Sequence, residues 1–350
     1  MLKLLDCTLR DGGYINNWEF GYETINDMIK ELEKTNVDIL ELGFIKNEKY
    51  NKDRTVFNQI DQITKLIPYK RKSINYAAMI EVMNPIPIEK LAMRTPETVD
   101  TIRVIIWKTK FNEETGNFND ALQEGFEYCK GIVERGYNLC VQPARVDQYS
   151  DEDFVAMLKL YEELKPLAIY IVDSWGTQTV EQIMHYVNLA DKNLGQDISI
   201  GYHGHNNMMQ AFSTTMAFIH SGINRDLIVD GSVYGIGRGA GNLNIELFAK
   251  YLNETEEKAY ELIPMIRVYQ NYIKKIYDEH KWGYSIPYFL TAQHNVNPNY
   301  GEYYDVRMGL SPIEIDRILT IINEEDKILY TAKKAEMYMH LALGERAING

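Results

Sequence analysis

Eight short runs of β-branched and aliphatic residues punctuate the first 235 residues of the chain, starting with "KLLDCTL", "VDILELGFI", "INYAAMI" and "TIRVIIW". "YNLCVQPA", "AIYIVDSWG", "ISIGYHGH" and "LIVDGSVYG" continue the series. Between runs, the spacing of apolar positions turns helical. Ile25, Met28, Ile29 and Leu32 recur at i, i+3, i+4 and i+7, the stripe of an amphipathic helix. Phe212, Met216 and Ile219 repeat it before Gly222, which stops the helix. About eight strand-helix units in about 250 residues predict a (β/α)8 TIM barrel, with a doubly wound parallel sheet as runner-up. Past residue 250 the strands cease. "ETEEKAYELIPMIRVYQNYIKKIYDEH" and "SPIEIDRILTIINEEDKILYTAKKAEMYMHLALGE" keep helical spacing, so the expected division is a catalytic barrel over 1–250 and a helical C-terminal region over 251–350. The stretch between those helices, "KWGYSIPYFLTAQHNVNPNYGEYYD", mixes Pro, Gly, Asn and aromatics as a structured functional loop does, and it is expected to reach the active site.

Charge and length narrow the function classes. At 350 residues the chain can bury a large core. With 37 basic against 50 acidic side chains, its net charge of −13 argues against a general nucleic-acid or anionic-membrane binder. No apolar run is long enough to span a bilayer, and "MLKLLDCTLRDGG" turns acidic too soon for a signal peptide, so cytoplasm is the expected location. Cys7, Cys129 and Cys140 lack a C-x-x-C spacing and read as reduced thiols.

Candidate chemistry gathers at predicted strand ends, where such barrels keep their active sites. Arg10 and Asp11 are read as ending the first strand. In "GYHGHNN", alternation along the seventh strand sends His203 and His205 to one side. Histidines at a strand end also serve as plain hydrogen-bonded structure, but joined by Asp11 they form a three-ligand metal site with open positions. The glycines of "GIGRGA", residues 235–240, follow the last strand with no βαβ unit behind them, so they suit a phosphate or carboxylate cradle better than a dinucleotide site.

Five motifs in order, "DCTLRDGG", "ELGF", "VDSWG", "GYHGHNN" and "GIGRGAGN", resemble the DRE-TIM metallolyases, and the last is most similar to the 4-hydroxy-2-oxovalerate aldolase branch. The resemblance implies a divalent cation, Mn²⁺ first and Mg²⁺, Co²⁺ or Zn²⁺ otherwise, held by Asp11, His203 and His205 with Asn242 as a weaker contact. It implies cleavage or formation of a 4-hydroxy-2-oxoacid through a pyruvate enolate and an aldehyde. Arg10 would stabilise the enolate, and Asp6 would be a supporting residue. From their places at strand ends, Glu41 is expected to orient Arg10 or Lys46 or to face substrate, Ser174 to offer substrate a hydrogen bond, and Gly237 and Gly239 to belong to the cradle that meets it. At the position where that branch carries a catalytic histidine this chain has Tyr14, a weak base at neutral pH. Two readings follow: Tyr14 is itself catalytic, through a relayed water or a lowered pKa, or it is a pocket wall and His294, Tyr300 or another group of the 284–300 loop, or a bound water, takes the proton. The competing readings are a Claisen-type acyl-CoA lyase or synthase, a two-histidine one-carboxylate iron oxygenase, and a metal-binding barrel that has lost catalysis. Expected partners are an oxoacid and an aldehyde; a homo-oligomer is allowed, and no feature supports a partner dehydrogenase.

Overall fold

The computed structural model describes residues 1–112 and 117–344, so the last six residues of the expected C-terminal region fall outside it. All eight apolar runs are strands: β1 Leu2–Asp6, β2 Ile39–Ile45, β3 Asn75–Glu81, β4 Thr101–Ile106, β5 Asn138–Pro143, β6 Ala168–Asp173, β7 Ser199–Gly204 and β8 Leu227–Gly231. Each pairs in parallel with the next. β8 returns to β1, with Leu4 opposite Val229, and the barrel closes. Strands covered on both faces lose their polar positions, which is why they read as unbroken apolar runs.

Alternation along the strands layers the barrel interior. Leu5, Ile39, Ala77, Cys140, Tyr170 and Ile228 form one apolar layer. Two residues further along the same strands the inward face carries Glu41, Gln142 and Asp230 beside Cys7, Met79 and Val172, and the interior becomes partly polar.

The outer helices depart from expectation at two places. The helix Tyr22–Leu32 buries Ile25, Met28, Ile29 and Leu32 as its stripe predicts. Between β3 and β4, however, only a short 3-10 turn, Ile88–Lys90, forms. Pro85, Pro87 and Pro96 explain it, since each lacks an N–H and holds its predecessor extended. The helix Ala211–Ile219 turns Ala211, Thr214, Thr215 and Phe218 inward, not the predicted Phe212 stripe. Tyr202 beneath it donates a 2.8 Å hydrogen bond to Thr214 Oγ1, while Phe212, 39% exposed, packs edge-on against Phe248 and Tyr251.

Beyond β8, the helix Ile245–Thr255 is followed by helical residues 262–279, and Met265, Val268, Ile273 and Trp282 join the barrel's own hydrophobic cluster. A second cluster runs from Leu290 to Met339 around Tyr300, Tyr304, Ile315 and Ile318. It meets the loops at the C-terminal end of the barrel, where Asn295 Oδ1 accepts from Arg145 at 3.3 Å and Asn297 Oδ1 from Arg238 at 3.0 Å. Among the described residues no helix is long and apolar enough to cross a membrane.

Candidate metal centre

The first loop departs from the simple strand-end picture. β1 stops at Asp6, whose carboxylate accepts from the Thr8 N–H at 2.9 Å and the Thr8 hydroxyl at 3.1 Å. That Asx turn leads into a single helical turn, Thr8–Asp11, and puts Arg10 and Asp11 on the turn, one step beyond the strand. Burial pushes the Asp6 carboxyl up to about 7, against the two Thr8 hydrogen bonds. Glycine is required next for space: a Cβ on Gly12 would stand 2.8 Å from the Ile236 side chain, and one on Gly13 1.9 Å from the Trp18 ring.

His203 and His205 reach the same point from β7 and its end. His203 Nδ1 lies 2.9 Å from Asp230 Oδ2, and His205 Nδ1 lies 2.9 Å from the Asp173 carbonyl oxygen. A carbonyl can only accept, so Nδ1 of His205 carries its proton and Nε2 presents a lone pair. The two Nε2 atoms lie 4.0 and 3.6 Å from Asp11 Oδ2, and one ligand atom from each of the three residues falls within 4.8 Å of the others. Asp11 Oδ2, His205 Nε2 and Asn242 Oδ1 are buried without hydrogen-bond partners. Leaving such acceptors unpaired is costly, and a cation satisfies all of them at once. Asn242 is oriented for this, since its Nδ2 donates to the Ile236 carbonyl at 3.1 Å and its oxygen is left over. Gly237 makes the room: a Cβ there would sit 2.6 Å from Asp11 Oδ2 and 2.3 Å from Asn242 Nδ2.

Behind the ligands runs a buried chain of charges. Arg10 donates from Nη1 to Asp11 Oδ1 at 2.5 Å and from Nε to Glu41 Oε2 at 2.7 Å. Arg103 donates to the same Glu41 oxygen at 2.7 Å and to Asp230 Oδ2, which also holds His203. Two guanidinium groups against three carboxylates leave one net negative charge, a setting that draws a cation. Burial would lift the Asp11 carboxyl, but Arg10 and then the two imidazoles outweigh it and hold the group far below the usual carboxylate range. Burial lowers His203 against the pull of Asp230, favouring the neutral ring a metal needs. Asp173 is pushed up to about 6 by burial, opposed by the N–H groups of Thr177 and Gln178 that it caps.

A cavity opens above these groups. Arg10, Asp11, His203 and His205 line its foot, and Tyr14, Met79, Glu81, Ile105, Trp107 and Arg238 line the wall above. Ser174 lines it too, with its hydroxyl accepting from the Arg145 N–H at 2.9 Å. Tyr14 packs edge-on against Trp18 and Phe44, with ring centroids 4.8 and 6.1 Å apart. Although 37% of the residue stays exposed, crowding around the phenol and the Glu81 carboxylate push its ionisation well above the ordinary tyrosine range.

Three expected substrate contacts lie elsewhere. Glu41 is absent from the wall because both arginines hold it behind Arg10. Gly237 spaces the ligands, and Gly239, at φ +64°, turns the backbone where a Cβ would stand 3.1 Å from Asn207. His294 is not brought to the cavity: it ends the helix Ile286–Gln293, and its Nε2 lies 2.7 Å from Asp316. In the same loop, Tyr300 is buried and donates to the Asp326 carbonyl at 3.0 Å. Asp230, Glu81, Trp107 and Arg238 were not singled out from sequence. An ionisable residue at an inward register of an apolar strand, as in "LIVDG" and "NYAAMIE", was the available signal.

Comparison with known proteins shows the fold and the family. A 4-hydroxy-2-oxovalerate aldolase of Pseudoalteromonas translucida is 23% identical over 345 residues, covering 95% of this chain and 94% of its own length. An oxaloacetate decarboxylase of Mycobacterium tuberculosis is 24% identical over 255 residues, 69% of this chain and 67% of its own length. Among solved structures, the N-terminal domain of an inferred aldolase from Bacteroides vulgatus superposes with a TM-score of 0.70 at 23% identity, covering 86% of this chain and 96% of that one. The HMG-CoA lyase of Bacillus subtilis follows the same fold with a TM-score of 0.59 at 15% identity, covering 81% and 94%. Residues 1–262 match the HMGL-like family, and the chain belongs to it.

Proposed function

We propose that the protein is a divalent-metal-dependent aldolase that splits a 4-hydroxy-2-oxoacid into pyruvate and an aldehyde, or joins the two. Membership of the HMGL-like family makes it an enzyme of the lyase type, and the recurrence of 4-hydroxy-2-oxovalerate aldolases among its relatives supports the substrate class. The observation that carries the reading is the pair of orphaned acceptors on Asp11 and His205, at the foot of a cavity that Arg10 and His203 also line.

Asp11, His203 and His205 would hold the cation, with Asn242 beside them, and the bound ion would supply Lewis-acid stabilisation of the charge developing on the keto oxygen. Mn²⁺ is the first expectation, although mixed imidazole and carboxylate donors do not select sharply. Arg10 adds a positive charge that Glu41 and Asp11 hold in place, so it needs no reorganisation as the bond breaks. Ser174 offers a hydroxyl to the substrate, and Tyr14 forms part of the wall on the aldehyde side. Pyruvate release from a panel of 4-hydroxy-2-oxoacids, by enzyme stripped with chelator and then given Mn²⁺, tests the proposal. Metal-dependent cleavage of at least one member is expected, and no release from any member rejects the reading.

A further inference from the structure

An aldol cleavage needs a group that takes a proton from the 4-hydroxyl, and most cavity residues are disqualified. Tyr14 has its ionisation pushed up and keeps its own proton. Arg10 and Arg238 are cations. Asp11 is held ionised by Arg10 and the imidazoles, whose Nδ1 atoms are engaged and whose Nε2 atoms face the cation site. His294 pairs with Asp316 outside the cavity. Among the described residues lining the cavity, one carboxylate is left available, that of Glu81.

Its placement fits the task. Glu81 ends β3 opposite Ile105 of β4, two residues after Met79, so both project into the same wall. The Trp107 indole N–H donates to Oε1 at 3.1 Å, which aims the carboxylate and leaves Oε2 as acceptor. Tyr14 and Arg238 share the wall with Glu81, Lys46 just after β2 is a nearby cation over the Trp18 and Phe44 rings, and Arg10 and Asp11 lie at the foot.

We propose that Glu81 is the catalytic base for aldol cleavage, an inference that rests on the aldolase reading. The 4-hydroxyl proton passes to Glu81, the oxygen's electron pair becomes the aldehyde C=O, and the C3–C4 bond breaks with its pair going to the pyruvate half as enolate. That enolate carbon then takes up a proton from water while Glu81 returns its own to water, so the sum is oxoacid to pyruvate plus aldehyde and no further reactant is needed. In the condensation direction, protonated Glu81 returns the proton to the new alkoxide.

The test compares the parent enzyme with Glu81→Gln in the presence of Mn²⁺. A fall in kcat of about 10²- to 10⁴-fold is expected for 4-hydroxy-2-oxoacid cleavage, the range one acid-base group supplies. Metal content and the calorimetric affinity for oxalate, a planar mimic of the enolate, should stay within about threefold of the parent. Cleavage within about threefold of the parent overturns the proposal. So does loss of cleavage together with metal or oxalate binding, which makes the role structural. A parent that cleaves no 4-hydroxy-2-oxoacid counts against the aldolase reading itself; a cleaving parent matched by its variant counts against Glu81 alone.

Discussion

The foot of the cavity and its upper wall are built on opposite plans. Behind the foot Asp11, Arg10, Glu41, Arg103, Asp230 and His203 are joined in one buried hydrogen-bonded chain, and each charge has a fixed partner. On the wall Glu81 has one side-chain hydrogen bond, to Trp107, and Tyr14 is held by edge-on ring packing and by the Arg238 guanidinium 5.9 Å over its ring. Rigid buried polarity suits a site that must present charge to a developing transition state without rearranging. A loosely partnered wall suits groups that exchange protons with substrate or set which aldehyde fits. The difference predicts that substitutions at the foot remove the reaction, while those on the wall above redirect or slow it.

The largest effect belongs to the ligands. Replacing both His203 and His205 by Ala should drop bound metal to background by elemental analysis and abolish metal-dependent cleavage. Unchanged metal content breaks the assignment of the foot. Next comes Arg10→Ala, expected to cut turnover by on the order of 10²-fold or more, as loss of one oxyanion donor does. Circular dichroism should show the fold intact, and near-normal turnover would remove Arg10 from the reaction. Asp230→Asn should act through His203: metal affinity falling about 10- to 100-fold in titration is the cost of losing an outer-shell partner. An unchanged affinity would mean that the buried chain stabilises the barrel without tuning the site.

The sequence made these two zones legible to different degrees. Asp11, His203 and His205 stood out because short motifs place them, and strand alternation gives the histidines a common direction. The barrel strands showed because burial on both faces leaves them apolar. The bonds from Arg103 to Glu41 and Asp230 cross 62 and 127 residues of chain, and no local spacing encodes them. The position of Arg10 and Asp11 on a helical turn depends on Asp6 bonding Thr8, a local cue that alternation alone passes over. His294 misled because its distance from the cavity is set by where the helix Ile286–Gln293 docks, in a cluster separate from that of the barrel. The missing helix between β3 and β4 was readable in its three prolines.

Tyr14→Phe should have the smallest effect, and it divides the wall most finely. Phenylalanine keeps the edge-on contacts with Trp18 and Phe44, so the wall retains its shape and only the phenol O–H is lost. Because burial and Glu81 push the phenol's ionisation up, it stays protonated from acid through mildly alkaline pH. Removing it therefore takes away no titrating group in that range. The kcat/KM profile of the variant should overlay that of the parent between about pH 6 and 9, with kcat within about threefold. Its KM should shift unevenly across a series of 4-hydroxy-2-oxoacids that differ in the aldehyde half. Exchange of pyruvate methyl protons with deuterium, followed by NMR in the presence of Mn²⁺, should persist. If Tyr14→Phe instead loses both cleavage and exchange while Glu81→Gln stays active, the tyrosine does the work of the base, and the wall takes part in the chemistry no less than the foot does.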